Sequence, residues 1–392
     1  MKLLVFSHKK VWRSSDSPSG WATDGGFAFQ MMAVGSLFDE VEMLLPEVAQ
    51  RSAGEVFFKD EKLTVTPIQV PASISGWKEK LFVLFWGFWN LRHLFKKIKQ
   101  ADVVHVPIPS SFGTIGMWFT KWLNKPLFIR YCGNWLVSNS KVEVYWKRYM
   151  IKHAGKNMVA FATGGDSNPP SEKNKQIKWI FSSSLLADEL AQLEEKVKAK
   201  PTTNTFNVVA VSRQVKNKGT DKTIKAIAQL KDKSIHFDIV GDGGDLDYFK
   251  QVAKEQGIED QVHFHGKLNN QQVIATLLQG DVFCFPSMSE GFPKAVMEAM
   301  ACGLPVITNP VSVLPSMVGD TDSGIILSKG DVDDIATQLK LLKDNPEKRS
   351  TCTNNALAAV KQYSLENWAD YIAKEFAQTF QIETHRKRSL VK

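Results

Sequence analysis

The chain has 392 residues, of which 43% are hydrophobic and 23% charged, so it is long enough to form more than one folded domain. Its four cysteines show neither the close pairs nor the His partners typical of a structural zinc site, and no apolar stretch approaches the roughly 20 residues that cross a bilayer. The net charge of +8 lies in the first half: residues 1–200 carry 27 Lys/Arg against 18 Asp/Glu, whereas the rest carry 22 against 23. We therefore expect two domains in a reducing compartment, the first of them facing an anionic partner.

The first half alternates short apolar runs with helical patterns, which is typical of a parallel α/β sheet. The opening segment MKLLVFSHKKVW is too short an apolar run for a signal peptide, so the sequence predicts a cytoplasmic protein. The predicted strands are Leu3–Phe6, Val41–Leu45, Val103–Val106, Leu127–Ile129 and Met158–Ala162. The predicted helices are Phe27–Phe38, Trp77–Lys99, Ser111–Leu123 and Val142–His153.

The predicted helix Trp77–Lys99 contains the aromatic run LFVLFWGFW at 81–89, followed by basic side chains. A mixture of Trp, Phe and Lys/Arg suits a helix that lies in a membrane interface. A buried helix of the first α/β layer would have the same apolar content, and the sequence leaves both readings open.

The polar segment AKPTTNT at 199–205 lacks periodicity and is the best candidate for a linker. A second α/β run follows it, and together the two runs predict two Rossmann-like domains facing across a cleft. Ligands of such sheets bind beyond the carboxyl ends of the strands. The elements predicted in this half are strands Phe206–Val211, His236–Val240, Val262–His265 and Val282–Phe285, with helices from about Thr220 and at Gln271–Leu278.

The most informative stretch is SEGFPKAVMEAMACGLPVI at 289–307. Glu290 lies in a Gly/Pro-containing loop, and Glu298 lies within the short helix predicted after Pro293, a residue suited to a helix start. Gly303 suits a left-handed helix end, and the strand Val306–Thr308 follows. Carboxylates beside a helix N-terminus could bind a sugar and a ribose, while backbone N–H groups there could face a phosphate.

This stretch resembles the donor-site signature of retaining glycosyltransferases of the two-Rossmann-domain type (GT-B), family 4 or group 1. The resemblance implies an N-terminal acceptor-side domain at 1–198 and a C-terminal nucleotide-sugar-binding domain at 206–364. It also implies a C-terminal helix at 365–381 that crosses back to the N-terminal domain. The basic end, His385–Arg388, is expected to be disordered.

The resemblance also assigns roles to individual residues. Arg213 and Lys218 follow the strand Phe206–Val211, and in the family such a pair holds the donor diphosphate, whose departure develops negative charge. Glu290 is expected to hold the donor sugar and Glu298 the ribose hydroxyls. Further residues expected to bind substrate are Gly291, Phe292, Lys294, Ala295, Gly25, Gly26, Gly241, Gly243 and Lys267.

One position departs from the family pattern. Many relatives have a His before the Gly that follows the fourth strand, whereas this chain has Cys132 before Gly133. The sequence therefore does not identify the residue that makes the polar contact of this His. Arg130 or Asn134 could substitute for the missing contact. His263 and His265 are expected to be ordinary strand residues.

The function that the resemblance implies is retaining, metal-independent transfer of a sugar from a nucleotide-diphospho-sugar to a cell-surface polysaccharide or lipid-linked glycan. No cofactor is expected beyond this co-substrate, and peripheral contact with the inner face of an anionic membrane is a further expectation. The alternatives are a sugar-nucleotide epimerase of the same fold and a non-catalytic nucleotide-sugar-binding relative. A nucleic-acid binder is poorly supported, because the sequence contains no recognised nucleic-acid motif.

Overall fold

The computed structural model describes residues 1–49, 55–69, 77–137, 140–165, 168–201 and 204–390. The chain forms two compact units, Met1–Leu186 with Leu365–Lys392 and Ala187–Ser364. The helix Ala187–Lys198 therefore belongs to the second unit, whereas the sequence placed it at the end of the first domain. Part of the predicted linker, 202–203, lies outside the described residues.

Within the described residues, the first unit contains a seven-stranded parallel sheet in the order β10-β9-β8-β7-β1-β4-β6. A small antiparallel sheet, β2-β3-β5, accompanies it. The strands are β1 Lys2–Phe6, β2 Trp12–Arg13, β3 Trp21–Asp24, β4 Glu40–Glu47, β5 Glu55–Phe57, β6 Leu63–Gln69, β7 Val103–Ile108, β8 Leu127–Tyr131, β9 Met158–Thr163 and β10 Ile177–Ile180. The helices of this unit are α1 Phe27–Gly35, α2 Trp77–Trp89, α3 Leu91–Gln100, α4 Ser111–Trp122, α5 Lys141–His153 and, from the C-terminus, α13 Leu365–Phe380.

Both faces of this sheet are buried, because helices cover each side of a parallel sheet. Successive residues of a strand point to opposite faces, so Leu3 and Phe128 pack with α1 and α13, while Leu4 and Ile129 pack with the helices of the other side.

The helix α13 buries a stripe spaced by three and four residues in the first unit. Its buried apolar side chains are Leu365, Trp368, Ala369, Ile372, Ala373 and Phe376.

The second unit contains a six-stranded parallel sheet, counted over its described residues, in the order β13-β12-β11-β14-β15-β16. Its strands are β11 Phe206–Val211, β12 Ile235–Val240, β13 Val262–Gly266, β14 Val282–Phe285, β15 Val306–Thr308 and β16 Gly324–Ile326. Its helices are α6 Ala187–Lys198, α7 Thr220–Leu230, α8 Leu246–Glu255, α9 Asn270–Gln279, α10 Lys294–Ala301, α11 Val332–Asp344 and α12 Pro346–Val360. The α/β prediction of two Rossmann-like domains is confirmed for each unit.

The single helix predicted at Trp77–Lys99 is wrong. The chain forms α2 and α3, which meet at Asn90. The Asn90 side chain donates to the Trp86 carbonyl (2.9 Å). An Asn side chain that bonds to the local backbone competes with the backbone hydrogen bonds that would continue the helix.

The prediction of a disordered basic tail is also wrong. Arg386 forms an ion pair with Asp370 (2.8 Å), and Lys387 forms one with Asp39 (2.8 Å). The Lys387 ammonium and the N-terminal amino group hold the pKa of Asp39 well below its usual range. Arg388 donates to the Gly35 carbonyl (2.7 Å), so the tail is bound along the end of α1.

Candidate functional site

The predicted donor-site residues of the second unit gather at the carboxyl edge of its sheet. The chain runs outward from β11 to β12 and β13, and then returns to place β14 on the other side of β11. The strand order therefore reverses between β11 and β14, and such a switch point opens a crevice in which α/β sheets bind ligands. Lys218 follows β11 and Glu290 follows β14, so the two residues lie on either side of this crevice.

Lys218 and Glu290 form a direct ion pair. The Lys218 Nζ lies 2.5 Å from Glu290 Oε1, and each side chain is only 11% exposed. The Ser287 hydroxyl donates to the same carboxylate oxygen (2.7 Å), and Lys218 Nζ also lies 5.6 Å from the centroid of the Phe285 ring. The sequence assigned both charged residues to the donor site, and the structure joins them in one contact.

The loops that carry this pair are bonded to each other through the backbone. The Met288 N–H donates to the Asn217 carbonyl (2.8 Å). Gly219 has φ +77°, and a Cβ at that position would lie 2.7 Å from the Pro286 carbonyl oxygen. Glycine is required there because the two loops approach so closely in a left-handed conformation.

Side chains from the β15 region hold the loop of Glu290 in place, and no motif in the sequence pointed to them. Asn309 is buried and donates to the carbonyls of Pro286 (2.9 Å) and Ser287 (3.2 Å). The Ser312 hydroxyl donates to the Gly291 carbonyl (2.8 Å). These bonds fix the loop backbone before any ligand binds, which favours preorganised binding.

Gln214 does the same for the loops after β11 and β12. Its side chain is fully buried and donates to the carbonyls of Ser212 (3.0 Å) and Val240 (3.1 Å). It also accepts a hydrogen bond from the Thr220 hydroxyl (3.0 Å). Gln214 is not among the site residues predicted from the sequence, and the available signal was an uncharged Gln in a basic loop, between Arg213 and Lys218.

Gly241 and Gly243 are placed against this same loop. A Cβ on Gly241 would lie 1.9 Å from the Ser212 carbonyl oxygen, and one on Gly243 would lie 2.4 Å from the Gln214 carbonyl oxygen. Both positions therefore require glycine, because any side chain would collide with the backbone of the neighbouring loop.

Arg213 and Lys267 extend exposed side chains at this edge. The Arg213 guanidinium has no hydrogen-bond or ion-pair partner among the described residues. Lys267 follows Gly266, whose carbonyl accepts from the Gly241 N–H (2.7 Å), so it lies beside the glycine turn. The ion pair joins Lys218 and Glu290, and neither Arg213 nor Lys267 takes part in it.

The helix α10 begins directly after Pro293 and carries the second glutamate. Glu298 is half-buried, and Gly303 ends the region in the left-handed conformation (φ +69°) that the sequence predicted. Burial raises the pKa of the Cys302 thiol to about 12, and the Glu298 carboxylate adds to this effect. The Lys294 N–H donates to the Phe292 carbonyl (3.1 Å), and the Phe292 ring packs edge-to-face with Tyr363. Ala295 lies in the first turn of the helix.

The predicted glycine loop of the first unit precedes α1. Gly25 has φ +63° and Gly26 is the residue before the first helical residue, Phe27. The Asp24 carboxylate that opens the loop is paired with Lys9.

Cys132, Arg130 and Asn134 lie in three different environments. Cys132 is exposed, whereas the other three cysteines are buried, and all four are free thiols. Arg130 is buried under the Trp368 ring (5.5 Å to its centroid), and its Nε and Nη1 atoms have no hydrogen-bond partner among the described residues. Asn134 accepts from the Leu136 N–H (2.9 Å) and so closes a local turn.

The described residues contain neither a cluster of metal-binding side chains nor a membrane-spanning helix. No three His, Cys, Asp or Glu side chains there are grouped to hold a metal ion. No helix there is long and apolar enough to cross a membrane.

The second unit is similar in sequence to known proteins. Residues 192–358, less than half of the chain, match the model of the family described as "Glycosyl transferases group 1". The "D-inositol 3-phosphate glycosyltransferase" of Corynebacterium aurimucosum is 30% identical over 48% of this chain and 47% of its own length. The "GDP-mannose-dependent alpha-(1-6)-phosphatidylinositol monomannoside mannosyltransferase" of Mycolicibacterium smegmatis is 29% identical over 41% of this chain and 44% of its own length. The chain thus spans about half the length of these curated relatives.

A likeness to solved structures extends over nearly the whole chain. The Anabaena HepE structure in complex with UDP and glucose covers 96% of this chain and 99% of its own, with a TM-score of 0.65 and 18% sequence identity. At that identity the likeness shows the fold, which agrees with the two α/β units described above.

Proposed function

We propose that this chain is a glycosyltransferase that moves a sugar from a nucleotide-diphospho-sugar to a glycan or lipid-linked acceptor, with retention at the anomeric carbon and without a metal ion. The observation that carries the proposal is the Lys218–Glu290 pair at the switch point of the second sheet. The match of residues 192–358 to a glycosyltransferase family supports it.

The donor diphosphate is proposed to bind between Arg213 and Lys218. The exposed Arg213 guanidinium offers a planar fork, and Lys218 offers a point charge already inside the crevice. These cations and the N-terminus of α10 stabilise the charge that develops on the departing diphosphate. In this proposal they do the electrostatic work that a divalent cation does in other transferases.

The two glutamates are proposed to bind the sugars of the donor. Glu290 accepts hydrogen bonds from hydroxyl groups of the transferred sugar, and Glu298 accepts them from the ribose. The hydroxyl of Ser287 and the ammonium of Lys218 already orient the Glu290 carboxylate. The backbone N–H groups at Gly291 and Ala295 would line the same end of the crevice, with Gly243 and Lys267 toward the nucleotide end.

Retention is proposed through attack on the face that the diphosphate leaves. The acceptor hydroxyl then passes its proton to the departing phosphate, so no protein base is required. The first unit is proposed to bind the acceptor, with its glycine loop at Gly25 and Gly26 approaching it. The excess of Lys/Arg in residues 1–200 favours an anionic acceptor or surface, such as a lipid-linked glycan at a membrane or a cell-surface polysaccharide.

The experiment that tests the proposal is a panel of nucleotide sugars offered to the intact chain with a membrane extract, with EDTA present in one arm. We expect one donor to be consumed with formation of a glycosylated product, to the same extent with EDTA, and the product linkage to keep the donor's anomeric configuration. Glu290→Ala should reduce turnover by at least about 100-fold. The matched control is Glu259→Ala, an exposed glutamate after α8.

The outcomes separate the alternatives. Consumption of a donor with release of an epimerised nucleotide sugar would make the chain an epimerase. Binding of a nucleotide sugar without any turnover would make it a binding protein. If no nucleotide sugar binds and Glu290→Ala changes nothing, the chain is not a glycosyltransferase.

A further inference from the structure

The first unit contains a cavity that the proposed donor chemistry does not use. Its volume is about 760 Å³, within the range that binding sites for small ligands occupy. His8, which follows β1, and Ser110, which follows β7, both line it. The strand order of the first sheet reverses between β1 and β7, so the cavity lies at the switch point of this sheet, where α/β folds bind ligands.

The walls of the cavity are apolar. They come from α2, α4 and α5, and burial of a hydrocarbon chain against apolar side chains is favourable. The apolar side chains that carry the argument are Val83, Leu84, Ile115, Trp118, Tyr145 and Trp146.

One part of the cavity lining is suited to an anion. Ser110 is the N-cap of α4 and Ser140 is the N-cap of α5, so the positive ends of two helix dipoles lie in the lining. The ammonium of Lys141, in the first turn of α5, adds a full charge. The Glu143 carboxylate also lines this region and partly offsets that charge.

Outside the cavity the apolar surface continues along α2. Val83 and Gly87 pack inward, whereas Phe85 (63% exposed), Phe88 (73%) and Trp89 (82%) face outward. Basic side chains of α3 follow this face directly along the chain. A helix with exposed aromatic side chains and a basic end is typical of a surface that lies in a membrane interface.

We propose that this cavity binds the hydrocarbon chain of an anionic, single-phosphate or diphosphate lipid, with its phosphate at the N-termini of α4 and α5. The inference rests on the proposed function, for which this lipid would be the anchor of the acceptor. The occupant is a hydrocarbon chain because the walls are concave and apolar, and its head group is anionic because two helix N-termini and Lys141 lie at one place in the lining, beside Glu143. The cavity opens to solvent, because the half-exposed side chains of Leu84, Trp118 and Tyr145 line it, so an amphiphile in solution can reach its walls.

The test titrates the intact chain with butyl, octyl and dodecyl phosphate below their micelle concentrations, by calorimetry. Affinity is expected to rise about two- to fourfold for each added methylene that enters the cavity. Neutral dodecanol should bind at least about tenfold more weakly than dodecyl phosphate.

Two pairs of variants locate the site. Val142→Trp fills the cavity and should weaken dodecyl phosphate at least about tenfold, whereas Val137→Trp, at an equally exposed valine outside the lining, should not. Lys141→Ala should lower the affinity for dodecyl phosphate about tenfold, because the ammonium that contacts the phosphate is lost. Lys152→Ala, on the same helix, should leave this affinity unchanged. These positions are exposed, so the variants are expected to fold, and circular dichroism checks this.

Several results would overturn the inference. Affinity that does not depend on chain length, or equal losses in Val142→Trp and Val137→Trp, would remove the cavity as the site. Ultracentrifugation that shows a dimer broken by Val142→Trp, with unchanged dodecyl phosphate affinity, would make the face a contact between two copies.

The same preparation is titrated with nucleotide sugars. Donor binding without alkyl phosphate binding overturns this inference alone, whereas the reverse result overturns the proposed function alone.

Discussion

At the scale of the residue, the charges of Lys218 and Glu290 compensate each other in a site with little water. Each side chain has little access to water, and the contact is 2.5 Å. Removing one partner leaves the other as a poorly solvated charge, which is destabilising for a partly buried pair. Because a bound diphosphate would supply a second partner for Lys218, the pair is suited to exchange its contacts when the donor binds.

We expect Lys218→Ala to lower kcat/KM for the nucleotide sugar about 10²–10³-fold, since a preorganised cation near the departing phosphate is lost. Lys216→Ala is the matched control two residues away. Lys216 is exposed, and its ammonium lies over the Tyr248 ring (4.5 Å), so the loss there should stay within about threefold. Steady-state kinetics with the donor that the panel identifies measures both. Equal losses in the two variants would contradict the role given to Lys218.

His105 gives a prediction about pH. Burial, and secondly the Arg130 charge, lower the pKa of His105 to about 3 from its ordinary value of 6.5. Between these values the unfolded chain binds a proton that the native chain does not, so the free energy of unfolding falls as pH drops through the window. His105 contributes at most about 1.4 kcal/mol per pH unit to the slope of the free energy of unfolding against pH.

Urea unfolding between pH 7 and pH 4 checks this. His105→Phe should flatten the pH dependence, because the group that takes up the proton is gone and the aromatic ring can keep its stacking on Phe128. His93→Phe, at an exposed position, should leave the slope as it is in the unaltered chain. A slope unchanged by His105→Phe would mean that other groups carry the acid sensitivity.

At the scale of the element, the proposed donor site depends on loops whose backbones are in contact. The loop after β11 and the loop after β12 meet where Gln214 is buried between them. The loop after β14 is held by Asn309 and Ser312. The rigid edge of the sheet therefore places residues from four strands in one region.

Gly241→Ala should lower the free energy of unfolding by about 2–5 kcal/mol. Its φ is +118°, and the added Cβ would lie 1.9 Å from a backbone oxygen that cannot turn aside. Gly244→Ala is the matched control, since nothing lies within 4 Å of a Cβ there, and it should change the free energy by less than about 1 kcal/mol. Chemical denaturation of both variants measures the difference, and similar midpoints would contradict the close approach.

At the scale of the whole molecule, the chain returns to its first unit for its last helix. Trp368 is fully buried in that unit, and its indole N–H donates to the Phe181 carbonyl (3.0 Å). Phe376 packs against Phe128 of β8 (5.4 Å between centroids). The first unit is thus completed by residues that lie about 180 positions beyond its other elements.

Trp368→Ala should destabilise the first unit by about 3–5 kcal/mol, because it opens a large cavity in the core and leaves a carbonyl unpaired. Hydrogen exchange should show lost protection in peptides from β8 and β9, and unchanged protection in peptides from β11 and β14. Trp89→Ala, at a side chain that is 82% exposed, should leave both sets unchanged. Equal loss of protection in the two units would contradict the division into separate cores.

The sequence by itself determined the features that depend on short stretches of chain. The strand Phe206–Val211, the left-handed turn at Gly303 and the strand Val306–Thr308 all lie where their local patterns predicted. Alternating strand and helix patterns also predicted two α/β domains, because the period of apolar residues is a property of neighbours in sequence.

Only the tertiary structure decided which distant residues meet. Lys218 and Glu290 are 72 residues apart, and they form a pair because β14 lies beside β11 at a point where the strand order reverses. The same holds for the helix Ala187–Lys198, which joins the second unit, for the tail that binds Asp39 and Asp370, and for the outward aromatic face of α2. Local sequence fixes an element and its apolar stripe, whereas strand order and the packing of distant elements determine what that stripe contacts.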